Sequence, residues 1–287
     1  MESTAIRHEA ASFFRRKELP GVEVRIVAHS GGPWHCYSTD QEFVTSQGFR
    51  GELWHRRQRL QFAPGKVLCS QPGEVFSARQ VTAPGACSSL MIEDATLQSY
   101  AAELGLGTAP PRFSALSTPS VELAERLCNL LLLVRSDCSA LQLQSAMVAF
   151  MSSATAELLE TQVESVPSSS DSDAEAARRV RECLHNDPAG SVDLSTLAKE
   201  TGMSRFRALR VFKRRYGLPP HSYQLRVRLS LAQKSLRAGL EPAQVAAEFG
   251  FVDQSHLTRH FKKLLGVTPA RYARGAQLAP MELLTGT

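Results

Sequence analysis

The sequence predicts an α+β chain of more than one domain: a β-rich N-terminal half flanked by helices, then an all-α C-terminal half. Three observations carry the prediction. Short β-prone runs recur about every ten residues between 22 and 92, separated by Gly, Pro and Ser. From residue 94 the apolar period lengthens to steps of three and four. The charge also divides: residues 1–173 carry 14 basic against 19 acidic side chains (−5), and residues 174–274 carry 19 against 8 (+11). At 287 residues there is chain enough for two separate cores.

In order, the β runs are "VEVRIVAH", "EFVTSQ", "RLQFA", "KVLCS", "EVFSARQV" and "SSLMI". Their even spacing favours a small barrel or sandwich. "DATLQSYAAELG" then reads as a helix, with Asp94 as N-cap and Gly105 as stop. "SVELAERLCNLLLLV" is a second helix, capped by Ser120. A third covers about 138–162, with Leu143, Met147, Phe150, Ala154 and Leu158 on one face. That stripe can pack on the chain's own sheet. Residues 165–173, "SVPSSSDSD", are nearly free of large apolar side chains and read as a flexible linker.

The six cysteines (36, 69, 87, 128, 138 and 183) show no CxxC pair and no zinc-finger spacing. With no signal peptide in the sequence, free thiols in a reducing cytoplasm are expected. The most apolar run, Leu130 to Val134, is too short to cross a bilayer, so no membrane partner is expected.

The basic half contains a repeat. Arg210, Phe212, Lys213, Gly217, Pro220 and Tyr223 recur as Arg259, Phe261, Lys262, Gly266, Pro269 and Tyr272, each 49 positions on. Ala198 and Gly202 recur as Ala246 and Gly250 at 48. The unit is helix, glycine-containing turn, helix, and it occurs twice. Asp193, Ser204 and Asp253 are helix-start signals, as is Glu241 ahead of Pro242. Ala208, Val211, Phe212, Leu257 and Phe261 fall on an inward face. The outward face carries Arg205, Phe206, Leu209 and Arg210 in one copy. In the other it carries Gln254, Ser255, Thr258 and Arg259, with His256 beside them.

A helix that enters the major groove needs an apolar side for its own core. It also needs polar or branched groups near its start to reach base edges, and cations toward phosphates. Arg can grip guanine at two atoms and Gln adenine; Thr, Leu and Phe can touch a thymine methyl. Lys213, Arg214, Lys262 and Lys263 fall beyond the base-reading turn, where they would neutralise phosphates. The helix between the copies, "HSYQLRVRLSLAQKSLRA", is long enough to set two reading helices about 34 Å apart, one duplex turn.

"GFVDQSHLTRHFKKLLGVTPARY" resembles the signature of the AraC-type bacterial transcription regulators, and the resemblance covers 177–275. It implies a DNA-binding domain with two helix-turn-helix units. It also implies promoter DNA and RNA polymerase as partners, and usually activation of transcription. More weakly, "APGKVLCSQPGEVFSA" (63–78) and "WHCYSTDQEF" (34–43) resemble the cupin-like effector barrel of many members. The expected organisation is a cupin-like effector domain (1–115), a helical dimerisation segment (116–164), a linker (165–174), the double helix-turn-helix domain (175–276) and a tail (277–287).

Where metal-binding cupins carry His-x-His and a Glu, this chain has His35, Tyr37 and Glu42, with Phe76 at a further His position. Tyr and Phe do not replace neutral imidazole on a divalent ion, so no metal and no cofactor are expected. Trp34, His35, Tyr37, Glu42, Trp54 and Phe76 are the candidate lining of a small-molecule effector pocket. The expected protein is an effector-responsive, homodimeric regulator without enzymatic activity. The alternative is a metal-dependent cupin enzyme with a DNA-binding appendage.

Overall fold

The computed structural model describes residues 11–29, 34–55, 58–107, 110–113, 120–159, 172–190 and 193–274. Among these, the strands come first: β1 (Ala11–Phe14), β2 (Val22–His29), β3 (Trp34–Tyr37), β4 (Gln41–Gln47), β5 (Arg50–His55), β6 (Gln58–Phe62), β7 (Val67–Ser70), β8 (Val75–Ala83) and β9 (Gly85–Ile92). They pair antiparallel into a five-stranded sheet, β1-β2-β9-β4-β7, and a four-stranded sheet, β3-β8-β5-β6. Between the sheets lie Val44, Phe49, Leu53, Phe62, Leu68 and Phe76.

The larger sheet is covered on its outer face too, by α1 (Asp94–Glu103), α2 (Val121–Arg135) and α3 (Ala140–Leu158). Side-chain alternation along β4 shows how. Val44 points between the sheets, while Phe43 points outward, its ring 5.1 Å from Phe150 of α3 and 5.2 Å from Phe113. The α3 stripe is therefore core: Leu143, Met147, Phe150, Ala154 and Leu158 are at most 4% exposed within their own chain. Of the two roles the sequence left open for it, packing on its own sheet is the one observed. Truncating Phe150 to Ala would cost about 3–5 kcal/mol.

Several boundaries differ from the sequence reading. Strands β1, β3 and β5 were not among the six runs. β1 and β3 are four residues each, and β5 begins Arg-Gly. Their pairing partners, not their own composition, make them strands. Asp94 is the first helical residue rather than the cap. Glu93 holds the cap position without a side-chain bond. The linker reading also ran too far, because Ser172 and Asp173 already belong to the next helix, α4. Residues 165–171 and the tail 277–287 lie outside the described residues.

The C-terminal half is α4 (Ser172–Asn186), α5 (Leu194–Thr201), α6 (Arg205–Tyr216), α7 (Pro220–Arg237), α8 (Pro242–Glu248), α9 (Gln254–Leu265) and α10 (Pro269–Ala273). It has two cores, and the β half completes both. Phe212, Leu184 and Tyr223 pack with Tyr37 and Val75. Leu257, Phe261 and Tyr272 pack with Ala11, Phe13, Val27 and Met91.

Charges flank these contacts. Arg237 of α7 lies 3.9 Å from Glu23, 3.4 Å from Asp40 and 3.1 Å from Glu93. Lys234 pairs with Asp40 at 2.8 Å. Glu23, 1% exposed, also accepts from Arg15 at 2.5 Å and from the Tyr272 hydroxyl at 2.9 Å. A buried carboxylate this well answered avoids the cost of an isolated charge. No described helix is long and apolar enough to cross a membrane.

Candidate nucleic-acid interface

The two helix pairs of the repeat start and stop by the same local chemistry. Ser204 and Asp253 cap α6 and α9, accepting from the backbone N–H groups of Arg207 and His256. Gly217 and Gly266 end these helices in the left-handed conformation, φ 77° in both. Asp193 caps α5, accepting from Thr196 N–H at 2.7 Å. The Glu241 side chain and Gln244 form a capping box on α8 behind Pro242.

The same inward set buries in each: Ala208, Val211 and Phe212 on α6, Leu257 and Phe261 on α9. What remains outward is the set the sequence pointed to. Arg205, Phe206, Arg210 and Lys213 are exposed, as are Gln254, Ser255, Arg259 and Lys262; Leu209 and Thr258 are half-buried. Phe206 is 77% exposed, so it does not belong to the core. His256 is tied to its own turn: its Nδ1 accepts from Val252 N–H at 3.3 Å, and its ring contacts Phe251 and His260. Basic residues close each helix, Lys213, Arg214 and Arg215 on α6 and Lys262 and Lys263 on α9. There they favour the negative end of the helix dipole and are available to phosphates.

What holds the pairs in register was not read from the sequence. Arg228, in the middle of α7, donates to four carbonyls: Pro188 (2.6 Å), Ala189 (3.2 Å), Gly190 (2.9 Å) and Gly250 (3.0 Å). The first three lie ahead of α5 and the fourth in the turn between α8 and α9. Gln224, one helical turn earlier, donates to Gly190 O at 2.8 Å. Gln224 and Arg228 stand four apart, on one side of α7, and that spacing was the available signal. Gly250 permits the close approach: its φ is 70°, and a Cβ there would sit 2.3 Å from Ala189 O.

The candidate effector residues do not gather at one place. Tyr37, Glu42 and Phe76 line a hollow of about 50 Å³ between the sheets and α7. Glu42 is ion-paired there with Arg25. Tyr37 turns toward α7, its ring 5.3 Å from Tyr223. Trp54 lies elsewhere, on a cleft between the β half and α6. The side chains of Trp34 and His35 lie outside the described residues. A hollow of 50 Å³ has room for a water or two, not an effector, because the aromatic side chains fill the barrel. Burial, together with the Glu42 charge, pushes the Cys36 thiol up to about 11, which keeps it protonated and unreactive.

Comparison with known proteins settles the class. Residues 197–275 match the helix-turn-helix domain family. The chain is 29% identical over 198 residues to YbfI, an HTH-type transcriptional regulator of Bacillus subtilis, covering 68% of this chain and 70% of that one. It is 37% identical over 93 residues to an AraC-like transcription regulator of Streptomyces lividans, covering 32% and 31%. The chain belongs to the AraC-type transcription regulators. Its fold is similar over nearly its whole length to that of ToxT from Vibrio cholerae. An apo ToxT variant superposes with TM-score 0.54 at 14% identity, covering 90% of this regulator and 99% of ToxT. A fatty-acid-bound ToxT gives 0.52 at 13%. The regulator thus joins a DNA-binding helical half to a β half.

Proposed function

We propose that this AraC-type regulator reads promoter DNA with two helix-turn-helix units, α5–α6 and α8–α9, laid in successive major-groove turns. One observation carries the reading: two helices capped and stopped by the same chemistry present polar outward faces, and Arg228 ties the segment ahead of the first pair to the turn of the second. In this reading Arg205, Phe206, Leu209 and Arg210 address bases in one half-site; Gln254, Ser255, Thr258 and Arg259 address the other. Lys213 and Lys262 hold phosphates. His256 chiefly shapes the turn.

The β half, read as a cupin-like effector domain, takes a small molecule. A ToxT solved with an unsaturated fatty acid supports a small-molecule effector in this fold. The hollow at Tyr37, Glu42 and Phe76 must widen to admit one. One side of it is formed by α7 and the end of α9, so an occupant there would shift the seating of the helical half. The regulator acts in the cytoplasm as a homodimer that contacts RNA polymerase, and it performs no catalysis. Its second copy docks on the outer side of α2 and α3, where Val121, Leu132, Leu141 and Val148 are exposed.

Replacing Arg259 by Ala tests the DNA reading. Specific affinity should fall by about 1–3 kcal/mol, and selectivity should relax at one operator position. An unchanged footprint and affinity would remove Arg259 from base readout.

A further inference from the structure

Between the β half and α6 lies a cleft of about 720 Å³. Small-molecule sites occupy about 300–1,000 Å³. Its two walls differ in character. The helical wall is cationic, with Arg181 from α4 and Arg210, Lys213, Arg214 and Arg215 from α6. The wall opposite is aromatic and polar, with Trp54 (its ring 4.7 Å from the Arg59 guanidinium), His55 and Ser77, and it includes the Glu74 and Asp94 carboxylates, which an anion must sit away from.

The β wall is built rather than incidental. His55 is 4% exposed, its ring stacked 4.2 Å from Phe76, and its Nε2 lies 3.1 Å from Glu74. On the opposite wall some cations are already engaged. Arg214 is held by Asp173, and Arg181 donates to the Tyr223 hydroxyl at 3.2 Å and to Pro72 O. Arg210 and Lys213 form no ion pair among the described residues. Two cations without a carboxylate partner thus face a fixed polar and aromatic wall. The space between them is of small-molecule size.

We propose that this cleft is a second ligand site, separate from the hollow between the sheets. It takes a small anion whose phosphate or carboxylate oxygens are held by Arg210 and Lys213 and whose body rests against Trp54 and His55. Charge-assisted bonds from a paired Arg and Lys favour oxyanions over neutral ligands. One consequence rests on the DNA reading proposed above. Arg210 and Lys213 cannot hold a ligand and a duplex together. By linkage, ligand and DNA then weaken each other by the same factor.

The test uses the full chain and two aromatic dianions, phenyl phosphate and phthalate. Each is titrated calorimetrically at an ionic strength fixed with sodium chloride, so that screening is constant. Saturable binding of at least one is expected, and the one that binds identifies the oxyanion. Arg210→Ala with Lys213→Ala, both at exposed positions, should weaken it about tenfold or more, and Trp54→Ala should weaken it by a smaller factor. No saturable binding of either probe overturns the site, as does binding that survives both variants unchanged. If a bound probe leaves duplex affinity unaltered, the site stands and the assignment of Arg210 and Lys213 to DNA falls.

Discussion

Replacing Arg228 by Ala removes the four bonds that tie the segment before α5 and the α8–α9 turn to α7. A bond from a charged donor contributes about 1.5–3 kcal/mol when measured singly. Four on one guanidinium do not add, and the Pro188–Gly190 carbonyls sit near the surface, where water can replace the lost donor. Discounting for solvent leaves about 2 kcal/mol. The helical half shares its cores with the β half, so melting involves the larger body. For a body of that size, 2 kcal/mol lowers Tm by about 4–8 °C. Arg228→Lys should recover little, because an ammonium cannot span four carbonyls as a planar fork does. Thermal melts give the stability. Footprinting on a bound promoter gives the spacing, which should lose protection over one half-site before the other. A Tm within a degree of the parent, with both half-sites protected, would refute the idea that Arg228 sets the spacing.

Gly250→Ala should destabilise by about 1–3 kcal/mol, from a left-handed φ and a 2.3 Å clash with Ala189 O; denaturant midpoints check it. Burial and then Arg181 depress the His185 pKa to about 4 from 6.5. The unfolded chain therefore takes up that proton first as pH falls. Stability should decline between about pH 6.5 and 4, and His185→Gln should flatten that part of the curve in melts across the range. Leu132→Asp with Val148→Asp should give folded monomers by sedimentation, whereas Leu143→Asp with Phe150→Asp should unfold the β half. A soluble dimer from the first pair would move the seam elsewhere.

The legible parts of this chain were those fixed by neighbours in sequence. The caps at Ser204 and Asp253, the glycine stops, and the inward Phe212 and Phe261 each depend on residues within a turn or two, so local chemistry announces them. The outward faces of α6 and α9 followed by subtraction. The α3 stripe was legible as a face but not in its partner, since periodicity says that a side is buried and not against what. Arg228 was illegible because its partners are backbone carbonyls, which carry no residue signature. Glu23 was illegible for another reason: its partner Tyr272 lies 249 positions away. The candidate effector residues, spread over 34–76, were grouped through a family resemblance, yet Trp54 lines a different cavity from Tyr37, Glu42 and Phe76.

The shared cores bear on any attempt to work with the helical half alone. Cutting the chain near residue 172 would strip Phe13 from Tyr272, whose rings now meet edge-on at 4.8 Å, and would leave Arg237 without its three carboxylates. The severed piece would carry a greasy, positively charged scar on the side where the barrel used to sit. Its clinging to nucleic acid could then reflect the wound as much as the reading helices. A fragment intended to report on recognition would first need that surface rewritten.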